Sequence, residues 1–323
     1  MSIAAIDIGT HSVLLTIAEK KSDGTIVALV EEATLTRIGE GIGSSNQFLP
    51  SGMERTLACL KKYKAICDQH SVQKIIAVGT AAFRKAQNAG DFVKQVQKEC
   101  GIKIEIISGE REAALTYGAA THDFGDNILV LDIGGGSTEM ITSESAVSVP
   151  IGSVYLTEKY VHTDPISAED FGTLSTTIDE NLHGWHGNPV RGLPLGDGQG
   201  WSDRTRENFR LFVATAGTPT TLAAIDRKMK VYKHNEIHGS KLSLKTVQNI
   251  IADLKSKTVE ERKKIPGLEP GRADVILAGA LLLEKVAQHF GFQEITVSDR
   301  GVRWGLLYFD SKGPSKSGCS KAT

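Results

Sequence analysis

Two short segments carry residues arranged to handle phosphate. Residues 4–14 run Ala4-Ala5-Ile6-Asp7-Ile8-Gly9-Thr10-His11-Ser12-Val13-Leu14, and residues 129–139 run Leu129-Val130-Leu131-Asp132-Ile133-Gly134-Gly135-Gly136-Ser137-Thr138-Glu139. In each, an apolar strand ends in Asp-Ile-Gly, turns through small polar residues and resumes. Glycines let a backbone turn tightly and aim several N–H groups at one anion. The hydroxyls of Ser137 and Thr138 add donors, and the carboxylates of Asp132 and Glu139 suit Mg²⁺, which prefers oxygen ligands beside phosphate. One such loop alone reads as a glycine-rich turn. Two at homologous positions, 125 residues apart, predict facing copies that grip phosphate from both sides. No GxxxxGK[ST] is present, so this is not a P-loop. Residues 39–43 have the wrong spacing for a dinucleotide loop. A third candidate, Ala214-Thr215-Ala216-Gly217-Thr218-Pro219-Thr220-Thr221, follows a strand and opens a helix, whose N-terminus attracts anions. Pro219 suits a first helical turn.

These segments, in this order, resemble the two phosphate loops and the third loop of the actin/sugar-kinase/heat-shock ATPase superfamily. Further segments point to one branch. They are Val78-Gly79-Thr80-Ala81-Ala82-Phe83-Arg84-Lys85, Ile107-Ser108-Gly109-Glu110-Arg111-Glu112-Ala113, Pro150-Ile151-Gly152-Ser153-Val154, Arg272-Ala273-Asp274-Val275-Ile276 and Val297-Ser298-Asp299-Arg300-Gly301-Val302-Arg303. Together they resemble the exopolyphosphatase/guanosine pentaphosphate phosphohydrolase family, short two-domain type, over about residues 3–309.

The resemblance implies an α/β fold of two duplicated ribonuclease H-like, actin-like ATPase domains with a cleft between them. It implies a catalytic carboxylate at Glu112 and a phosphate-facing arginine at Arg84. Gly9, Thr10, His11, Ser12, Gly134, Gly135, Gly136, Ser137, Thr138, Gly217 and Thr218 match the phosphate loops. Asp7, Asp132 and Glu139 match the acidic residues that hold Mg²⁺ or another divalent cation. The implied reaction is Mg²⁺-dependent release of terminal phosphate from inorganic polyphosphate, with guanosine pentaphosphate as a second substrate and a homodimer as the assembly. The chemistry needs an in-line water and neutralised leaving-group charge; a carboxylate activates the water, and loop N–H groups and an arginine offset developing charge. On its own, Glu112 reads as a charge on a first helical turn, where Glu is favoured. An ATP-dependent small-molecule kinase and a non-catalytic polyphosphate or nucleotide sensor are the alternatives on the same fold. The Arg84 and Glu112 segments favour the hydrolase. His11 stands where the family has Asn, and Tyr155 and Trp304 stand where it has Arg and Glu.

The elements that must position these residues follow from periodicity. Each echo opens a three-strand meander. The first continues with a helix over 51–70, a strand over 74–78, a helix near 84–100, a strand over 103–107 and a helix over 110–120. The second continues with helices over 167–182, 220–226, 244–255 and 273–290 and strands over 210–215 and 294–297. Strands alternating with helices imply a largely parallel sheet. The expected domains are 1–124 and 125–300, with a final helix over 301–309 returning to the first. A surface loop is expected at 186–206, rich in Gly and Pro, and a disordered tail at 311–323.

Composition excludes several classes. The chain has 323 residues, 40% hydrophobic, with 33 glycines, so it is not a disordered chain. With 37 basic and 38 acidic residues, its net charge is −1, against a dedicated nucleic-acid binder. Polyphosphate would still need a local basic path, for which Lys61, Lys62, Lys64, Arg262, Lys263, Lys264 and Arg272 are candidates. No apolar run reaches the ~18 residues of a membrane span, and the start lacks a basic n-region. The four cysteines have neither zinc nor disulfide spacing. A cytoplasmic enzyme with reduced thiols and no membrane partner is expected.

Overall fold

A computed structural model describes residues 1–183 and 208–309. The loop expected at 186–206 and the tail expected at 311–323 lie outside these residues. The chain divides into two compact units, one from Met1–His122 joined by the chain from Gly301, the other Asp123–Arg300.

Unit 1 is built on β1 (Ser2–Ile8), β2 (Ser12–Lys20), β3 (Ile26–Leu35), β4 (Lys74–Gly79) and β5 (Ile104–Ile106), in the order β3-β2-β1-β4-β5. β1 and β2 pair antiparallel, as do β2 and β3, while β1, β4 and β5 run parallel. Its helices are α1 (Ile42–Ser45), α2 (Pro50–Gln69), α3 (Ala81–Lys85), α4 (Ala89–Cys100), α5 (Gly109–Phe124, which ends just past the division) and the returning α13 (Val302–Phe309). The single helix expected near 84–100 is two. Asn88 separates them, because its side chain accepts from Phe48 N at 2.8 Å and donates to Phe48 O at 3.0 Å. These bonds tie residue 88 to a segment 40 residues away.

Unit 2 repeats the plan. Its strands are β6 (Ile128–Ile133), β7 (Thr138–Ile141), β8 (Ala146–Val149), β9 (Leu211–Thr215), β10 (Lys241–Ser243) and β11 (Glu294–Val297), ordered β10-β11-β9-β6-β7-β8. Again an antiparallel meander (β6, β7, β8) is extended by parallel strands (β9, β11), with β10 added at the edge. Its helices are α6 (Ser153–Tyr160), α7 (Ala168–His183), α8 (Gly217–Asp226), α9 (His234–Ile237), α10 (Leu244–Lys255), α11 (Val259–Arg262) and α12 (Ile276–His289). Periodicity missed α6: Val154, Tyr155, Thr157 and Tyr160 are weak helix formers, and packing against α12 and α7 holds the helix.

The two-residue period of β1 decides what Asp7 meets. Ala4, Ile6 and Ile8 join a core with Leu60, Tyr63, Phe92 and Val96 from α2 and α4. Ile3 and Ala5 join a separate core with Leu115 and Ala119 of α5 and with Val302, Trp304 and Leu307 of α13. Side chains alternate across a strand, so Asp7 belongs to the α5 and α13 side. α13 packs that closely because residue 305 is glycine: a Cβ there would sit 2.3 Å from Leu115 O.

Unit 2 has one large core, centred on α12 and the inner face of β6. It also encloses Arg262, 1% exposed. Arg262 Nε donates to Leu254 O at 2.9 Å and Nη1 to Ala273 O at 3.4 Å. Arg262 therefore staples the end of α10 to the approach to α12 and does not line a basic surface path. Arg262→Met is expected to lower stability by about 1–2 kcal/mol, because the side-chain bonds to Leu254 O and Ala273 O are lost while Leu254 O keeps Lys257 N at 3.2 Å. Urea unfolding at unchanged m reads this directly; a loss below about 1 kcal/mol would show that the carbonyls are satisfied otherwise. Other basic-path candidates are matched by carboxylates: Lys61 with Glu99 (2.6 Å), Lys62 with Glu32 (3.1 Å), Lys64 with Asp68 (2.5 Å) and Lys263 with Glu260 (2.5 Å).

Cys59, Cys67 and Cys100 are free and buried. Among the described residues, no helix is long and apolar enough to cross a membrane.

Candidate active site

In unit 1 the candidate residues gather at the carboxyl ends of the parallel strands, where open α/β sheets place their ligands. Asp7 is in register with Val78 of β4 and Leu14 of β2. Thr80 N donates to Ile8 O at 3.3 Å and Ile107 N to Gly79 O at 3.1 Å, so the ends of β1, β4 and β5 lie side by side. α3 starts from the β4 end and carries Arg84; α5 starts from the β5 end and carries Glu112. Arg84 Nη1 donates to Glu112 Oε2 at 2.6 Å and to Ile107 O at 3.1 Å. The two side chains, 28 residues apart in sequence, thus meet.

The electrostatics are unusual for carboxylates. Burial raises the Glu112 carboxyl above the ordinary glutamate range, against the pull of the Arg84 guanidinium and the Thr80 hydroxyl. Asp7 is pushed from 3.8 to about 7, first by burial, then by the Glu112 charge, and is lowered in part by Arg303. Its Oδ1 is buried without a hydrogen-bond partner. A carboxyl raised above its ordinary range, as Glu112 is, accepts a proton more readily than an ordinary carboxylate does.

The first loop repeats its counterpart in bonding as well as in sequence. Gly9 N donates to Ser12 O at 3.0 Å, and Gly134 N donates to Ser137 O at 3.0 Å. The equivalences differ at one chemical point. Opposite Asp7 stands Leu14, whereas opposite Asp132 stands Glu139. Residues directly opposite on antiparallel strands have Cβ atoms ~5 Å apart on one face. Unit 2 therefore holds a carboxylate pair where unit 1 holds one carboxylate. Glu139, 8% exposed, also accepts from Ser148 Oγ at 2.8 Å. Among the described residues, no set of three or more His, Cys, Asp or Glu side chains forms a metal cage. The donor set fits Mg²⁺ of the kind bound through one or two carboxylates and completed by phosphate oxygens, with Asp132 and Glu139 as the carboxylates.

The expected phosphate-loop residues divide into two groups. Gly135, Gly136 and Ser137 line a half-exposed turn. Thr138 is fully buried and its hydroxyl donates to Ile151 O at 2.7 Å, so it braces the loop from inside instead of presenting a hydroxyl to an anion. Thr218 is 5% exposed and packs against α12, where a Cβ on Gly279 would lie 2.4 Å from its Oγ1; it too is a packing residue. Gly217 is different, because a charged group packs against it. A Cβ there would fall 2.0 Å from Arg272 Nη1, so a guanidinium lies against the start of α8. Ala216, just before it, has φ 72° and ψ −167°, a strained backbone of the kind that gathers at functional sites.

The chain matches the model of the Ppx/GppA phosphatase family over residues 16–312. It belongs to that family. The match starts after the first loop, whose assignment rests on the internal repeat and on the geometry above. This Ppx/GppA chain is 35% identical to the bifunctional 3-dehydroquinate synthase/phosphatase of Fusobacterium nucleatum, over 94% of its own length and 46% of that protein. It thus spans about half of that relative. It is 30% identical to exopolyphosphatase 2 of Mycobacterium tuberculosis, over 94% of its own length and 97% of the relative. Among solved structures, a Ppx/GppA enzyme of Aquifex aeolicus is 31% identical with a TM-score of 0.76, covering 96% of this chain and 99% of that one. The fold is accordingly the two-domain actin-like ATPase type, and its two units repeat one strand order.

Two contributors in this Ppx/GppA chain went unassigned in the sequence. Arg303, 2% exposed, donates to Glu31 Oε1 at 3.2 Å and moderates Asp7 from the far end of the chain. Trp304, one of the departures from the family pattern, is 3% exposed and its indole N–H donates to the same Glu31 oxygen at 3.2 Å. It is a packing residue of the α13 side. No local spacing could reveal either, since Glu31 and Arg303 lie 272 residues apart.

Proposed function

We propose that this Ppx/GppA phosphatase is an exopolyphosphatase that releases the terminal phosphate of inorganic polyphosphate with Mg²⁺, using Glu112 as general base, and that guanosine pentaphosphate is a second substrate. The pairing of Glu112 with Arg84 at 2.6 Å carries the proposal. A buried carboxyl with a raised pKa accepts the proton of an attacking water, and the guanidinium beside it offsets charge on the transferring phosphate. Loop N–H groups orient the phosphate oxygens. Bound Mg²⁺ would supply charge neutralisation at those oxygens, held by Asp132 and Glu139. The exopolyphosphatase of Mycobacterium tuberculosis, similar over nearly its whole length, supports the substrate class.

Phosphate release from purified protein tests this, with polyphosphate of several chain lengths and guanosine pentaphosphate in parallel, with and without Mg²⁺. Mg²⁺-dependent release from polyphosphate is the expected result. Release from guanosine pentaphosphate alone would reassign the substrate. Transfer of phosphate from ATP to an acceptor would make the chain a kinase, and saturable polyphosphate binding without turnover would make it a sensor.

A further inference from the structure

We infer that the first turn of α6 is what turns the Asp132 loop into an anion cradle, and that Gly152 and Ser153 are positioning residues for phosphate; the inference rests on the phosphate-handling role proposed above. A helix N-terminus leaves backbone N–H groups without intrahelical partners, and these commonly bind an anion themselves. In α6 they are spent otherwise. Ser153 N donates to Gly134 O at 3.0 Å, and Val154 N and Tyr155 N donate to Gly135 O at 2.9 and 3.0 Å. The Gly134 and Gly135 carbonyls are therefore turned towards α6.

The trans peptide makes the consequence definite. Within one planar unit, C=O and N–H point in opposite directions. With the Gly134 and Gly135 carbonyls facing α6, the N–H groups of Gly135 and Gly136 face away from it. Gly134 N is already committed to Ser137 O. The anion-facing donors of the loop are thus Gly135 and Gly136, and α6 sets their direction. Unpaired loop carbonyls would otherwise repel phosphate.

Residue 152 must be glycine for this contact. Its backbone, φ −143° and ψ 174°, is an extended conformation open to any residue, so conformational freedom is not the reason. Space is the reason: a Cβ would lie 2.5 Å from both the carbonyl carbon and the oxygen of Gly135, and 2.6 Å from Gly134 O. The first loop shares one of these contacts, made with different parts. Thr10, equivalent to Gly135 by the 125-residue offset, has its carbonyl held by Gly39 N at 2.9 Å, and a Cβ on Gly39 would lie 2.3 Å from Thr10 Cγ2. Thr36 N and Arg37 N hold His11 O at 3.1 and 2.9 Å. The carbonyl common to both copies, Thr10 O and Gly135 O, is thus held from behind in each, while the second held carbonyl differs: His11 O, equivalent to Gly136, in the first loop and Gly134 O in the second.

Two substitutions test the role. Gly152→Ala forces the Gly135 peptide to move. Ser153→Pro deletes one N–H at the first helical position, where proline is otherwise tolerated, and the extended backbone of residue 152 already suits a following proline. The probe is methylenebisphosphonate, a pyrophosphate mimic whose P–C–P bridge is not hydrolysed, titrated calorimetrically with Mg²⁺ present. Both variants are expected to bind about 10-fold or more weakly, the loss that follows when a hydrogen bond to a charged group is weakened or removed. Gly172→Ala on α7, where a Cβ meets nothing within 4 Å, should bind as wild type. Folded variants that bind as tightly as wild type overturn the inference alone. Wild-type protein that does not bind the probe overturns the phosphate role on which it rests. Should either variant fail to fold, amide hydrogen exchange on the wild type decides. The amides of Ser153, Val154 and Tyr155 should be protected before ligand is added, and those of Gly135 and Gly136 only after. Unprotected Ser153–Tyr155 amides in the free protein would overturn the inference.

Discussion

Glu112→Gln is expected to release phosphate from polyphosphate about 10²–10⁴-fold more slowly than wild type, the range for loss of a positioned general base. The loss should appear in kcat, with KM little changed, because the group acts on water and not on substrate binding. Gln keeps the length and an oxygen to accept from Arg84, which now holds Glu112 at 2.6 Å, so the arginine stays near its place. The substitution has a second signature. The Glu112 charge is the next-largest cause, after burial, of the raised Asp7 carboxyl. Removing it lets Asp7 ionise at lower pH, so the pH dependence of stability should become shallower in the same variant. Full turnover in Glu112→Gln would place the base elsewhere.

Asp7→Asn is expected to be more stable than wild type above neutral pH and similar to it in acid, measured by urea unfolding at about pH 4 and about pH 8 without divalent cation. In the folded protein Asp7 keeps its proton up to about 7, whereas its ordinary value is 3.8. Between those values the folded state binds more protons than the unfolded state, so stability falls as pH rises. The contribution is complete below the unfolded value and is lost as pH passes the folded one. At ~1.4 kcal/mol per pH unit, that interval spans about 4 kcal/mol at most. Asparagine does not ionise and escapes the loss. Parallel curves for the two proteins would mean that Asp7 titrates as an ordinary aspartate. A buried carboxyl with an unsatisfied Oδ1 and another carboxylate nearby is costly to the fold; such local costs are characteristic of sites kept for chemistry.

Much of the site was legible because its signals are local. Asp-Ile-Gly followed by small residues announces a strand, a tight turn and a second strand, and the observed pairs Ile8 with Val13 and Ile133 with Thr138 close those turns. The repeat was legible for the same reason, since two copies of one local pattern 125 residues apart require two copies of one sheet order. Local patterns also misled. Thr138 and Thr218 have the residue types of phosphate donors, yet their hydroxyls are turned inward to Ile151 O and to the α12 contact. Arg262 has the residue type of a surface cation and is buried. Residue type does not say which way a side chain faces once neighbouring helices have packed.

By itself the sequence determined the strand–turn–strand loops, the α/β alternation and the identity of the charged candidates, because turn chemistry and hydrophobic period act over a few residues. Tertiary structure decided which charges meet. Arg303 reaches the Asp7 neighbourhood because α13 returns to the same face of β1 as α5. Glu112 and Arg84 meet because parallel strands β4 and β5 deliver α3 and α5 to one edge. The loop amides acquire a direction because α6, half of whose residues are weak helix formers, is held in place by α12 and α7. Each of these depends on contacts between segments tens to hundreds of residues apart, and a pKa or a peptide orientation is set by the sum of those contacts, not by the neighbours along the chain.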